Sequence, residues 1–212
     1  MATLSPTIVK AIRMVEDLPT TAFNDQIEID SARSGVAFGA QRAILDFGDI
    51  SSIPAGSTID SAVLTLKDRT VVSGTADPAC QAHPMIEFNW VAGQATWNEF
   101  STGNSWSTPG GDYDTGAGIS DWNMPTSGTG TDAITVTTTI QRILSQNPTT
   151  CQILLKHVVE DDLGGSFGAV AWDSHVGNNP PTLLITYTAP VTGGDFHRAR
   201  GYRQRLRGRQ SR

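Results

Sequence analysis

Lysine is scarce in this chain, at 3 residues in 212 against 25 threonines. Cysteine is scarcer still, with Cys80 and Cys151 alone, too few for a disulfide framework at this length. The pair is compatible with one bridge or with two buried thiols. No apolar run approaches the roughly 18 residues of a membrane span. Charged residues are only 17% of the chain, which excludes a coiled coil and a disordered polyelectrolyte. Glycine, proline and threonine are abundant instead, with 21 Gly and 11 Pro. That is the composition of short β-branched strands joined by turns, in a chain long enough to bury a full core. A helical bundle is excluded.

Charge is divided between two regions. Residues 191–212 carry seven arginines and one acid, Asp195, for +6; residues 1–190 carry 8 basic and 20 acidic groups, for −12. The Thr192-Gly193-Gly194 stretch after Pro190 marks the boundary between a domain at 1–190 and a basic arm at 191–212. The arm is either a solvated terminus or a docking element for an acidic surface. Arginine forks suit carboxylate or phosphate pairing better than lysine does. The docking set is Arg198, Arg200, Arg203, Arg205, Arg207 and Arg209, with Phe196, Tyr202 and Leu206 between them. The acidic body opposes nucleic acid as the partner. Near the start, Lys10, Arg13, Glu16 and Asp17 interrupt any signal-peptide apolar region, so no leader is expected there.

Strand signals recur along the body. Thr7 to Val15 reads as a strand, though the spacing of Ile8, Ala11, Ile12 and Val15 also fits a helix. Gln26–Asp30 alternates, Gln41–Phe47 is a short run, and Ser61–Lys67 follows the Pro54-Ala55-Gly56 turn. Further strands are expected at Gln81–Trp90, Ala133–Val136, Cys151–Val159, Ala169–Ser174 and Leu183–Tyr187. One helix is expected after Thr137 or Thr138 as cap, with Ile140, Ile143 and Leu144 on one face and Asn147-Pro148 as its stop. Between Ala92 and Gly130 strand signals vanish, leaving a long aromatic loop that is either functional or a packing layer of its own. The expected fold is an all-β antiparallel sandwich of jelly-roll type.

The order of three stretches carries a family resemblance. They are Ile53-Pro54-Ala55-Gly56-Ser57-Thr58-Ile59-Asp60-Ser61-Ala62-Val63-Leu64-Thr65-Leu66, Thr96-Trp97-Asn98, and Pro180-Pro181-Thr182-Leu183-Leu184-Ile185-Thr186-Tyr187. Over about residues 7–188 the chain resembles the DNRLRE (disaggregatase-related) domain, akin to some carbohydrate-binding modules. The resemblance implies a non-catalytic jelly-roll that binds glycans or builds surfaces.

Few residues suggest chemistry. Gly164-Gly165-Ser166-Phe167-Gly168, with Asp173 and His175 nearby, matches the nucleophile-elbow pattern, but acids precede it and a strand-like run follows, so a glycine-rich hairpin is the better reading. The four histidines show no zinc spacing. Enzymatic activity is not expected. Asp112 and Asp114 offer loop carboxylates of the kind calcium prefers, as do Glu160, Asp161 and Asp162; solvated acids are the alternative, and calcium is the one cofactor the pattern admits. Trp106, Tyr113 and Trp122 sit among Asn, Asp and Thr and form the expected glycan site, although the same rings could cap one end of the sandwich. Trp90, Trp97 and Trp172 read as core.

Two functional expectations follow. One is a structural subunit of a multi-subunit particle, a bacteriophage capsid decoration or fibre, joined to copies of itself or to a shell protein by the arm. The other is a carbohydrate-binding module. The corresponding locations are a virion surface, or outside the cell after loss of a leader.

Overall fold

Alternation of apolar and polar residues, broken by Gly, Pro and Asp, folds this chain as an all-β sandwich. The computed structural model describes residues 1–30, 39–73, 79–124, 130–146, 149–160 and 168–191. Its strands are β1 (Ala2–Leu4), β2 (Lys10–Val15), β3 (Phe23–Asn24), β4 (Ile27–Asp30), β5 (Gln41–Asp46), β6 (Thr58–Ser73) and β7 (Ala79–Pro84). They continue with β8 (Glu99–Ser101), β9 (Asn104–Ser105), β10 (Ser120–Asn123), β11 (Thr131–Thr135), β12 (Gln152–His157), β13 (Gly168–Trp172) and β14 (Thr182–Thr188). Among the described residues there is one helix, α1 (Thr137–Gln146).

Strand β6 belongs to both layers. Its first part pairs antiparallel with β14, from Thr58↔Thr188 to Thr65↔Thr182, and with β11, from Val63↔Thr135 to Lys67↔Thr131. β1 lies beyond β14. From Asp68 onward β6 pairs with β13 instead, and the register shifts there, between Ala171 and Trp172. β13 leads to β4. In the same second sheet β5 lies between β2 and β12, and β12 is followed by β7 and β10. At the crossing, the Asp68 amide donates to the Gly130 carbonyl (3.2 Å) and the Gly130 amide donates to Asp68 Oδ2 (3.0 Å). The Trp172 indole N–H donates to Asp132 Oδ2 at 2.7 Å.

The main core fills the space between the sheets. Ala62, Leu64, Leu66, Leu183 and Ile185 from one sheet meet Ala43, Leu45, Ile153, Leu155 and Trp172 from the other. Trp122 packs against Trp172, with ring centroids 5.9 Å apart. The helix adds Ile140, Ile143 and Leu144 to this core, the face their spacing predicts. Its threonines do not act as expected. Thr137 Oγ1 accepts from the Ala62 amide (2.9 Å), while Thr138 and Thr139 hydroxyls donate to the Ile119 and Ala82 carbonyls (2.9 and 3.2 Å). They bolt the helix to the strands.

Other expectations are corrected in detail. The strand expected to reach Trp90 ends at Pro84; the Met85 amide still donates to the Gln152 carbonyl (3.2 Å), and from Ile86 the backbone turns to the Asp112 carbonyl instead (2.9 Å). The stretch 92–130 holds the small β8–β9 pair and β10, which pairs with β7 from Ser120↔Ala82 to Asn123↔Ala79. Asp121 and Asn123 are exposed, and these polar neighbours hide the strand in the sequence. Cys80 and Cys151 are buried thiols rather than a bridge. Burial pushes the Cys80 thiol up to about 12 and raises Cys151 too.

Candidate functional site

Antiparallel sheets commonly leave one face wet, but the centre of this second sheet, at β2, β5 and β12, does not. Ile44 and Leu154 point away from the main core and are still fully buried, as are Ile12 and Met14. A second apolar cluster covers them, built with Trp90, Trp97, Trp106, Met85 and Ala95 and flanked by Phe88, Phe100 and Tyr113. The segment that follows β7 thus forms a layer over the outer face. Each such aromatic hides about 150–250 Å², worth ~4–6 kcal/mol at ~25 cal/mol per Å².

Polar contacts fix this layer at two places. At one, the Trp90 indole N–H donates to Gln152 Oε1 (3.0 Å), while Gln152 Nε2 donates to Asp46 Oδ2 (2.8 Å) and the Phe88 carbonyl (3.1 Å). Lys10 lies 3.8 Å over the Trp90 ring and donates to its carbonyl at 2.7 Å. At the other, Arg42 forks onto Glu160, with Nε–Oε1 and Nη2–Oε2 both 2.7 Å, and its Nη1 donates to the Gly110 carbonyl (2.8 Å). The same guanidinium stacks under Trp97 and Tyr113, 4.8 and 5.4 Å from their centroids. Lys156 adds a second cation to Glu160 at 3.2 Å. Burial opposes the Arg42 charge, but the hydrogen bonds and charge of Glu160 outweigh it and raise its pKa. Gly110 allows this approach: its φ is +88°, and a Cβ there would stand 2.5 Å from Arg42 Nη1.

Between this layer and the end of β7 lies a cleft of about 410 Å³, lined by Ile86, Glu87, Ser107, Thr108, Gly111, Asp112, Tyr113 and Thr115. Its walls are held by backbone. The Ile86 and Glu87 amides both converge on the Asp112 carbonyl (2.9 and 3.4 Å), and Met85 bridges to Tyr113. The Asp112 carboxylate accepts from the Ser107 and Thr108 amides (2.8 and 2.9 Å). Tyr113 packs edge-on to His83 at 4.7 Å, and burial raises its phenol pKa. His83 is buried, its pKa lowered chiefly by desolvation, and its Nδ1–H donates to the Asp114 carbonyl at 2.9 Å.

The expected site residues do not converge. Trp106 is buried in the outer cluster with its indole N–H on the Thr96 carbonyl (2.9 Å), so it covers the sheet rather than offering a free stacking face. Trp122 lies on β10 against the main core. Of the three expected aromatics Tyr113 lines the cleft, beside Asp112 and the hydroxyl residues Ser107, Thr108 and Thr115, which carry no local signal that sets them apart from other loop residues.

Asp112 and Asp114, the residues of the calcium expectation, are engaged by donors of the chain itself. Asp114 Oδ1 accepts from the Gly116 and Ala117 amides (2.9 and 3.0 Å), and its Oδ2 from Arg142 Nε and Gln146 Nε2 (2.8 and 3.2 Å). Those bonds, the Gly116 amide foremost, lower its pKa against a smaller opposing effect of burial. Both carboxylates serve as turn pins, and no group of three or more His, Cys, Asp or Glu that could hold a metal occurs among the described residues. Asp161, Asp162 and Ser166 lie outside the described residues, as does the docking set Phe196, Arg198, Arg200, Tyr202, Arg203, Arg205, Leu206, Arg207 and Arg209. No helix is long and apolar enough to cross a membrane, among the described residues.

No known protein family's profile matches the chain, and no curated protein sequence matches it.

Proposed function

We propose that the chain is a non-catalytic structural and attachment protein, a bacteriophage surface component of the capsid-decoration or fibre kind, docked through its arm at 191–212. The observation that carries this reading is the partition of charge, +6 on the arm against −12 on the body. Arm and body of two copies are complementary, which favours assembly with copies of itself or with an acidic shell protein. A jelly-roll strand order belongs to the same proposal. The sandwich supports it as a rigid carrier, because the central strands of its second sheet, β2, β5 and β12, are buried on both faces.

The test is a chain lacking residues 191–212. Incorporation into the particle, and self-association at low salt, are lost in the truncated chain while its fold is retained. Equal incorporation of truncated and whole chains overturns the proposal.

A second reading, a carbohydrate-binding module, is favoured by one observation: Tyr113 lines a cleft whose rim is Ser107, Thr108 and Thr115. The resemblance of about residues 7–188 to the disaggregatase-related domain, read from the residues alone, belongs to the same proposal. The two readings are compatible in one surface protein.

A further inference from the structure

We infer that the Tyr113 cleft takes a short saccharide that is neutral or carries an amine, and rejects acidic sugars. The inference rests on the carbohydrate-binding reading and adds the ligand's charge class and the residues that choose it. At about 410 Å³ the cleft falls within the range of small-molecule sites. Three hydroxyl side chains, Ser107, Thr108 and Thr115, are exposed on its lining, where each can both donate and accept, as sugar hydroxyls require. Tyr113 supplies an aromatic surface and Ile86, 54% exposed, an apolar one, matching the C–H faces of a pyranose.

Charge decides the class. The lining contains two carboxylates, Glu87 and Asp112, and no basic side chain. The nearest guanidinium to Tyr113, Arg42, is engaged by Glu160 and Gly110 beneath the ring. A uronate or sialate would enter an acidic cleft on a −12 body with no cation to receive it. A neutral hexose pays no such penalty, and an amino sugar gains from Glu87. The site is also held open in advance: Asp112 ties Ser107 and Thr108 by their amides, leaving their hydroxyls for ligand.

The experiment is a glycan array probed with the full chain, wild type beside Thr115→Trp and Tyr113→Phe. Thr115 is exposed, so a tryptophan there fills the cleft without entering the core. Binding to neutral or amine-bearing glycans, with a loss of about tenfold or more in Thr115→Trp, is the result expected when several hydrogen bonds and a contact face are blocked. Tyr113→Phe keeps the ring and the fold and loses less. Binding confined to acidic glycans, or binding that Thr115→Trp leaves intact, overturns this inference while the carbohydrate reading stands. Absence of binding to every glycan class overturns both, and leaves docking by the arm untouched.

Discussion

Asp132→Asn is expected to stabilise this protein at neutral pH and to leave it unchanged in acid. Asp132 on β11 and Asp68 on β6 bring two carboxyls together where β6 passes between the sheets. Asp68 is 5% exposed, and its Oδ1 has no donor among the described residues. A proton on Asp132 supplies that donor, while Asp132 Oδ2 accepts from Trp172. Burial first, then the hydrogen bond and charge of Asp68, raise the Asp132 carboxyl from 3.8 to about 6, against the opposing pull of Trp172. The raised value means the folded state holds the proton more tightly than the unfolded chain does. Its stabilising effect is complete below about pH 4 and is lost as pH rises through 6. At 1.36 kcal/mol per pH unit the full difference is ~3 kcal/mol, and solvent screening at the half-buried Asp132 reduces it to roughly 1–2 kcal/mol.

Asparagine keeps an acceptor for the Trp172 indole and gives Asp68 a permanent N–H. Urea unfolding of wild type and Asp132→Asn between pH 4 and 8 therefore shows matched midpoints at pH 4. A gap of roughly 1–2 kcal/mol in favour of the variant opens by pH 7.5. The difference between the two proteins is the quantity to follow, because carboxylates remote from the Asp68–Asp132 pair contribute equally in both. A variant less stable than wild type at pH 7.5, or a gap that does not change with pH, would refute the shared proton.

Two further outcomes concern the outer layer and the thiols. Arg42→Ala leaves Glu160 partly compensated by Lys156 alone and costs about 3 kcal/mol. Gly110→Ala, forced against Arg42 Nη1 and 2.9 Å from Trp97 Cζ2, reproduces the effect at about 2 kcal/mol. In both, tryptophan fluorescence shifts to the red and proteolysis begins within 85–115; an unchanged emission spectrum in both variants would deny that Arg42 anchors the layer. Cys80 and Cys151, buried and with raised pKa values, stay unreactive toward a thiol reagent in the native protein at pH 8 and both react in urea. Rapid native labelling of either one contradicts their burial.

Much of the framework is legible in residues alone. Alternation in Gln26–Asp30 and in Ser61–Lys67 announces β4 and the first part of β6, and Ile140, Ile143 and Leu144 announce the inward face of α1. These are local signals, because side-chain direction follows directly from the period of the strand or helix. The bolting of the helix by Thr137, Thr138 and Thr139 is not local, since their partners Ala62, Ile119 and Ala82 come from distant parts of the chain. β10 is hidden for the same reason: Trp122 between Asp121 and Asn123 becomes a strand only when β7 offers its edge.

The amino-acid order by itself determined that this is a β protein, acidic in its body and basic at 191–212, because composition, charge and period are properties of the residues. Which of its aromatics are covered was decided in three dimensions. Trp106 and Tyr113 have similar neighbours in sequence, yet one is sealed beneath Thr96 and the other lines a cleft. The cause is the second sheet: Ile44 and Leu154 need cover on its outer face, and the segment after Pro84 supplies it. Burial depends on what lies opposite a side chain, and no residue carries that information in its immediate neighbours.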